Sequence, residues 1–303
     1  MNALDYHKPV MLQECLDGLA LQEGGIYVDL TFGGGGHTKA ILNQLTGVKV
    51  YGFDQDKDAA LEAAKIDDAR FTLIEANFRY LKRYLRLHGI KQVNGILADL
   101  GVSSHQFDVP DRGFSTRFDA DLDMRMDQSA GKSAQSVLEN FSEEELHKIL
   151  GMYGEVKNAR TLASAIVSRR INRPILTVDD LKSVALPLAP RNRENKYLAQ
   201  VFQALRIEVN DEIKVLEEML LQTAEVLAPK GRLVIMSYHS LEDRLVKNYM
   251  TKGKFSGEVE KDFYGNPIKP FNVVSRKPIE ARPEEIAQNN RARSARLRIA
   301  EKI

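Results

Sequence analysis

The chain has 303 residues, of which 43% are hydrophobic, so it is long enough to bury one large core or two ordinary ones. Its 43 basic and 42 acidic residues leave a net charge of +1, which excludes a general attraction of the whole molecule to nucleic acid and restricts any RNA contact to local patches. The single cysteine, Cys15, excludes an internal disulfide and a cysteine metal cluster, and no apolar run approaches the roughly 18 residues that span a bilayer.

A short helix is the first predicted element. It is indicated by apolar residues that share one helical face: Met11, Leu12, Cys15, Leu16 and Leu19. The residues before it lack the apolar core of a signal peptide, and we therefore expect a cytoplasmic protein. His7 lies in this irregular arm, where a surface position is the more common outcome and contact with an active site is the alternative.

Residues 26–38 predict a buried strand, a glycine turn and the start of a helix. Four consecutive glycines at 33–36 allow backbone N–H groups to approach a ligand, because no Cβ stands in the way. The positive end of the following helix, predicted over 38–45, points at the same place. A turn that only starts a helix close to a sheet is the alternative interpretation.

The next predicted strand, residues 48–53, is followed by Asp54. This acid lies about 20 residues past the glycines, where a carboxylate that accepts both ribose hydroxyls is expected. The dinucleotide pattern G-x-G-x-x-G fits poorly, because Gly33 and Gly35 would require a third glycine where the chain has Thr38. NAD is therefore the second choice of cofactor.

Strands and helices alternate as far as Asp99, with further strands predicted at 71–74 and 96–98. This alternation predicts a parallel, doubly wound sheet, in which ligands bind beyond the carboxyl ends of the strands. Those ends are followed by Asp29, Asp54, Phe78 and Asp99. Phe78 is suited to stack on an adenine ring, and packing in the hydrophobic core is an equally good interpretation. The layout resembles the class I Rossmann-like, S-adenosylmethionine-dependent methyltransferases.

After Asp99 the strand and helix alternation stops. The acids at 121–127 lack the spacing of an EF-hand, so we predict no metal site. Residues from about 128 to 213 show helical patterns only, and Ser142 with Glu145 predicts a helix cap. We therefore predict a cofactor-binding α/β domain formed by residues 1–107 and 214–303, with an inserted all-helical domain at 108–213 that recognises the substrate.

Basic residues cluster on this insertion: Arg169, Arg170, Arg173, Arg191, Arg193 and Lys196. Solvated helix faces and phosphate contacts explain such clusters equally well.

The sheet resumes with a strand predicted over 232–237, followed at once by the polar and aromatic residues 238–244. Two more strands are predicted, at 271–275 and 295–300. Alternation in the second places Arg296 and Arg298 outward and Leu297 and Ile299 inward.

Several stretches together resemble one family, the bacterial small-subunit ribosomal RNA cytosine-N4 methyltransferases. They cover nearly the whole chain, at residues 7–10, 29–37, 99–104, 113–115, 122–127, 238–244 and 290–293. The resemblance implies S-adenosylmethionine-dependent methylation of the exocyclic N4 amine of a specific cytidine in small-subunit ribosomal RNA. The partner that the resemblance implies is this RNA within an assembled or nearly assembled subunit. A homodimer of the chain is also possible.

The resemblance also implies which residues surround S-adenosylmethionine: Gly35, Gly36, His37, Asp54, Phe78, Asp99 and Gln106. His37 and Gln106 follow from the resemblance alone.

The reaction requires hydrogen-bond acceptors, because the lone pair of the cytosine amine is delocalised into the ring and makes it a poor nucleophile. Other amino-methyltransferases use an acid or amide followed by two prolines and an aromatic, whereas this chain has Asp99 followed by Leu100, Gly101 and Val102. Asp99 or nearby carbonyls are the candidate acceptors, and Tyr238 and His239 are candidates to hold the flipped base.

Three rival functions stay open on the sequence alone. They are methylation of a protein or small molecule, nicotinamide oxidoreduction, and ribosome assembly with little catalysis.

Overall fold

The computed structural model describes residues 9–129 and 131–303, and of residues 104 and 105 only the backbone. His7 and Lys8, at the start of the first family motif, lie outside the described residues. The chain forms two compact units, residues 1–101 with 214–303, and residues 102–213. The assignment of cofactor binding to one unit and substrate recognition to the other stays a prediction.

The first unit is built on one mostly parallel sheet, as the alternation of strands and helices predicted. Its strands are β1 (Ile26–Asp29), β2 (Lys49–Asp54), β3 (Phe71–Glu75), β4 (Val93–Asp99), β5 (Leu227–Ser237), β6 (Phe271–Val273), β7 (Ile279–Glu280) and β8 (Arg296–Lys302). Their order is β3-β2-β1-β4-β5-β8-β6, with β7 also paired to β8. The first five strands pair in parallel, and β8 pairs antiparallel with β5, β6 and β7.

Helices connect these strands. They are α1 (Leu12–Leu19), α2 (Gly36–Gln44), α3 (Lys57–Ala63), α4 (Leu81–Leu87), most of α11 (Glu212–Val226), α12 (Ser240–Lys252) and α13 (Pro283–Gln288). A 3-10 turn, Phe78–Tyr80, precedes α4, and another, Asn290–Ser294, precedes β8.

Both faces of the central strands are buried, which explains their nearly continuous apolar sequence. On β5, Leu233 and Ile235 join one apolar core, while Val234 and Met236 join the core on the opposite face. The second core also contains Cys15, which is fully buried in α1. Cys15 is therefore an ordinary buried thiol.

The prediction that Arg298 faces outward was wrong. Its side chain is buried and donates two hydrogen bonds, of 2.7 and 2.9 Å, to the carboxylate of Asp243 on α12. A charged side chain is tolerated there because its partner is held in bidentate geometry. Both faces of β8 are therefore covered.

Regular structure in the described part of the second unit is helical. It comprises α5 (Ser104–Asp108), α6 (Ala134–Asn140), α7 (Glu143–Met152), α8 (Ala159–Asn172), α9 (Val178–Ala185), α10 (Glu194–Asn210) and two 3-10 turns, Pro110–Arg112 and Leu186–Leu188. Capping boxes start α7 and α9, with Ser142 and Glu145 in the first. This unit has an apolar core of its own.

Among the described residues, no helix combines the length and apolar character needed to cross a membrane.

Candidate active site

A loop of four glycines joins β1 to α2. Gly33 and Gly35 have φ angles of 51° and 73°, in the left-handed region that favours glycine. The Gly35 N–H donates to the Phe32 carbonyl over 2.7 Å, which closes the turn, and α2 begins at the next residue. The helix thus starts two residues earlier than predicted, inside the glycine run.

The glycines differ in what surrounds them. A Cβ on Gly36 would lie 2.4 Å from Pro9, and one on Gly35 would lie 2.7 Å from the Phe32 ring. A Cβ on Gly34 would meet nothing within 4 Å. Packing of the chain itself therefore requires glycine at 35 and 36, whereas Gly34 borders open space where a ligand can approach the backbone.

Asp29, at the end of β1, is a buried carboxylate that secures this loop. It accepts hydrogen bonds from the Thr38 hydroxyl at 2.8 Å and from the Thr31 N–H at 3.2 Å. Burial raises the pKa of Asp29, while the nearby His37 ring and the hydrogen bond from Thr38 act in the opposite direction. This residue was noted at a strand end, but its hydrogen bonds to the helix start were not predicted.

Asp54, at the end of β2, is tied to the same loop. One carboxylate oxygen accepts from the Gly33 N–H at 2.8 Å, and the other accepts from the Asp56 N–H at 2.9 Å. Burial raises the pKa of Asp54 to about 6, against the effect of these two bonds. Each oxygen keeps a lone pair for a further donor, which suits the predicted ribose contact.

Asp99, at the end of β4, is held by a tyrosine from the end of β5. The Tyr238 hydroxyl donates to Asp99 Oδ1 over 2.7 Å, and the Asp99 N–H donates to the Thr31 hydroxyl over 2.7 Å. Burial raises the pKa of Asp99 to about 6, although His37 and the Tyr238 hydrogen bond each lower it. Burial and the neighbouring Asp99 charge raise the pKa of Tyr238, so its hydroxyl stays a donor.

His37 lies buried in the first turn of α2. A carbonyl can only accept, so the 3.3 Å contact of Nε2 with the Val10 carbonyl places the ring proton on that nitrogen. The ring interacts electrostatically with both Asp29 and Asp99. It therefore lies among the carboxylates of the site.

His239 has a structural role that the sequence did not suggest. Its ring accepts from the Glu242 N–H at 3.4 Å, and Glu242 in turn accepts from the His239 N–H at 3.3 Å, a reciprocal cap at the start of α12. Glu242 also accepts from the Tyr238 N–H over 3.0 Å. The cap fixes the backbone that carries Tyr238. It uses Nδ1 of the His239 ring, while Nε2 is buried 3.1 Å from a Glu242 carboxylate oxygen and makes no hydrogen bond among the described residues.

The local contacts of Phe78 and Gln106 do not indicate a role in the candidate site. Phe78 begins the turn after β3 and is partly buried against the apolar core of the first unit. Gln106 belongs to the second unit, where it is buried and its Oε1 accepts from the Ser103 N–H at 3.0 Å. Their predicted contacts with a cofactor stay predictions.

The first unit thus brings together four neighbouring strand ends, carrying Asp29, Asp54, Asp99 and Tyr238. Sequence reasoning missed Thr31 and Thr38. The Thr38 hydroxyl donates to the Asp29 carboxylate, and the Thr31 hydroxyl accepts from the backbone N–H of Asp99. Their signal in the sequence was only their position within and after that loop.

Three arginines at the end of α8, at positions 169, 170 and 173, differ in their contacts. Arg170 donates to the Leu138 carbonyl over 2.6 Å, so it satisfies the end of α6. The Arg169 and Arg173 guanidinium groups lie 3.9 and 3.5 Å from Asp180, and the Arg173 side chain is 69% exposed. Of the three, Arg173 is the best placed to meet a phosphate.

Comparison with known proteins places this site in context. The sequence model described as the MraW methylase family matches residues 5–303. A Cytophaga hutchinsonii protein named ribosomal RNA small subunit methyltransferase H is 58% identical over 297 residues, covering 98% of this chain and 99% of that protein. Proteins of the same name from Christiangramia forsetii and Flavobacterium johnsoniae are 58% and 56% identical, with 100% of this chain covered and 100% and 99% of theirs.

Proposed function

Since this chain belongs to the MraW methylase family, we propose that it methylates the exocyclic N4 amine of a specific cytidine in small-subunit ribosomal RNA, with S-adenosylmethionine as methyl donor. Relatives named as small-subunit ribosomal RNA methyltransferases match the chain over its full length. The observation that carries the reaction is the Asp99 carboxylate, which is fixed by Tyr238 and has a pKa of about 6.

The first unit has the groups that S-adenosylmethionine requires. Gly34 leaves space for close approach to the backbone, and Asp54 offers free lone pairs to ribose hydroxyls. Asp29, Asp54 and Asp99 supply negative charge, which suits a positively charged sulfonium. When bound, S-adenosylmethionine supplies an electrophilic methyl group attached to that sulfur.

We assign to the surroundings of the cofactor the residues that the resemblance implied: Gly35, Gly36, His37, Asp54, Phe78, Asp99 and Gln106. For Gly35 and Gly36 the support is their place in the loop, which they shape through packing. For Gln106 the support is the resemblance alone.

Asp99 is the proposed catalytic acceptor. Its carboxylate would accept a hydrogen bond from the N4 amine, which raises electron density on the nitrogen. It would take the proton as the new nitrogen–carbon bond forms, while the sulfur–methyl bond of the donor would break and leave a neutral thioether. A pKa of about 6 leaves Asp99 ionised at neutral pH, yet basic enough to hold that proton. Tyr238 keeps Asp99 in place through its 2.7 Å hydrogen bond, which makes it a positioning residue in this scheme.

The role proposed for His239 differs from the one that the sequence suggested. Since its ring caps α12, we propose that His239 supports Tyr238 through the backbone and does not stack on the base.

For the second unit we propose a role in RNA recognition, through exposed basic residues such as Arg173. We also propose that the substrate is met in the cytoplasm within an assembled or nearly assembled subunit. The homodimer that the resemblance leaves open is the second point to test. Methylation of subunits compared with naked RNA, and sedimentation of the free protein, test these two points.

Labelled methyl transfer into small subunits from a strain without the enzyme tests the main proposal. We expect label in N4-methylcytidine, and a decrease of about 10²- to 10⁴-fold in single-turnover rate for Asp99→Ala, the range of a positioned acid–base group. Label in a protein or a small molecule, hydride transfer, or binding without turnover would each replace the proposed reaction with one of its rivals.

A further inference from the structure

Among the described residues of the first unit, the most exposed aromatic side chains lie between α12 and β6, about 25 residues after Tyr238 in the sequence. Residues 261–267 form a small hairpin closed by an antiparallel bridge between Lys261 and Pro267. At its tip Phe263 and Tyr264 are 97% and 85% exposed. Their rings lie 5.6 Å apart at 87°, edge to face.

Hydrogen bonds of Asp262 and the backbone close this hairpin. The Asp262 carboxylate accepts from the N–H groups of Tyr264 and Asn266, both at 2.9 Å, and from the Asn266 side-chain amide at 3.1 Å. The Asp262 N–H donates to the Asn266 carbonyl over 2.9 Å, and the Gly265 N–H donates to the Asp262 carbonyl over 3.0 Å. The turn therefore holds its two rings outward without help from their side chains.

Exposure of both rings has no benefit for the stability of the first unit. Burial of a phenylalanine side chain stabilises a fold, and Phe263, which is almost fully exposed, forgoes nearly all of that stabilisation. Such a pair, presented on a fixed turn, is suited to contact with another molecule.

The charges around the tip indicate which kind of molecule. Glu260 is paired with Lys254 at 2.8 Å, and the Asp262 carboxylate is satisfied inside the turn. Lys261 and Lys269, on either side of the tip, have no carboxylate partner within 4.0 Å among the residues described. Flat aromatic faces beside free ammonium groups match unpaired nucleotides, whose bases stack and whose phosphates are anionic.

We propose that the 261–267 hairpin is a second RNA contact, in which Phe263 and Tyr264 stack on unpaired bases of small-subunit ribosomal RNA while Lys261 and Lys269 meet the adjacent phosphates. The choice of RNA rests on the proposed function. The contact raises affinity for the subunit and takes no part in the methyl transfer.

The chain contains no tryptophan, so Phe263→Trp introduces a single fluorescent reporter at the tip. Stacking on a base quenches that fluorescence. We expect quenching by a single-stranded uridine oligonucleotide and by purified small subunits, and none by vesicles of phosphatidylglycerol. A blue shift of the emission with vesicles, without quenching by RNA, would overturn the proposal in favour of a membrane contact.

Steady-state methylation of small subunits gives the second measurement. The double variant Phe263→Ala with Tyr264→Ala should raise KM for the subunit about 10- to 100-fold, as expected when base stacking is removed, with kcat unchanged. Replacing Lys261 and Lys269 by alanine should reduce the salt dependence of binding, by about 0.7 in the logarithmic slope for each phosphate that the variant no longer binds.

Leu87→Ala is the matched control, because this α4 side chain is 71% exposed and lies outside the hairpin. If the double variant behaves like the control, the hairpin is not an RNA contact. If the unmodified enzyme itself fails to methylate subunit RNA, the proposed function fails first. The oligonucleotide quenching then still decides whether the hairpin binds RNA.

Discussion

Among the individual residues of the site, burial affects three carboxylates in the same direction. It raises the pKa of Asp29, Asp54 and Asp99, and in each case hydrogen-bond donors offset part of the effect. Carboxylates held in this way are poorly solvated, so a cationic or donor-rich ligand gains more from them than from carboxylates in water. The site is therefore prepared for such a ligand before it arrives.

Asp54→Ala is expected to weaken S-adenosylmethionine binding by about 10- to 150-fold, because a hydrogen bond to a charged group is worth about 1.5–3 kcal/mol. Calorimetric titration of the purified protein measures the change. The control is Glu75→Ala, since Glu75 is exposed at the end of β3 and lies opposite Asp54 in the strand register. Equal affinities for the two variants would remove Asp54 from the ribose site.

Tyr238→Phe tests the positioning role of the tyrosine. Asp99 must be ionised to accept the amine proton, so the single-turnover rate should fall as the pH drops through about 6. The Tyr238 hydrogen bond lowers the pKa of Asp99, and its removal should move this acid limb to higher pH, by about one to two units for a bond of 1.5–3 kcal/mol.

A purely structural role of Tyr238 would lower the rate at every pH and leave the limb in place. The pH profile of the variant, recorded at saturating cofactor and RNA, separates the two outcomes.

Residue identity allowed the strand-end acids to be predicted, but not their partners. A strand followed by an acid is visible in the sequence, whereas the Tyr238 hydroxyl reaches Asp99 only because β5 pairs with β4. Arg298 shows the same limit. The alternation of residues along the strand predicted that Arg298 faces outward. Its burial is possible because α12 packs against this strand and supplies Asp243 as its partner.

Among the helices and strands, the best predictions concern those with strong local signals. β1 and β2 were placed to within about one residue, since buried apolar runs end at glycines or acids. β5 was predicted to start at Arg232, after a turn, but it begins at Leu227, which pairs with Val93 before an irregularity in the register. That pairing depends on β4 and leaves no local pattern.

His239 illustrates a local signal that was missed. A residue followed three positions later by glutamate is the pattern of a capping box, but serine and threonine are its usual first members. The structure forms the box with a histidine ring as the acceptor.

The end of α8 provides a prediction about one helix. Arg170→Ala should lower the free energy of unfolding by about 1–3 kcal/mol, because the buried Leu138 carbonyl loses its side-chain donor. Arg173→Ala should change stability by no more than about 0.5 kcal/mol, as for an exposed side chain, while flattening the salt dependence of RNA binding.

Urea unfolding and RNA titration at several salt concentrations, made on both variants, give the comparison. If Arg173→Ala keeps the salt slope of the parent, the exposed arginine belongs to a solvated face. If Arg170→Ala costs no stability, its hydrogen bond is replaced by water.

For the protein as a whole, composition left one large core or two ordinary ones open, and the chain has two compact units. The pattern change after Asp99 indicated where the sheet is interrupted. Composition does not show how much the site lowers the stability of the folded protein. Three acids at adjacent strand ends would be replaced by apolar residues if stability alone mattered. The protein retains them, and its stability should therefore depend on pH in a particular way.

Asp99→Asn isolates this dependence, because asparagine keeps an acceptor for Tyr238 but carries no charge. The folded-state pKa of Asp99 is about 6, above its ordinary value of 3.8. Stability from such a group is fully present below pH of about 4, where Asp99 is protonated in both states, and is lost as the pH rises through about 6. The wild-type protein should thus become less stable relative to Asp99→Asn across this interval, by roughly 1–3 kcal/mol for a group with some solvent access. Urea unfolding of both proteins at intervals between about pH 4 and pH 8 measures the difference, in which contributions from all other groups cancel.

A difference that stays constant with pH would mean that Asp99 is as well solvated in the folded protein as in the unfolded chain. The proposed role of Asp99 as a proton acceptor with a raised pKa would then be lost.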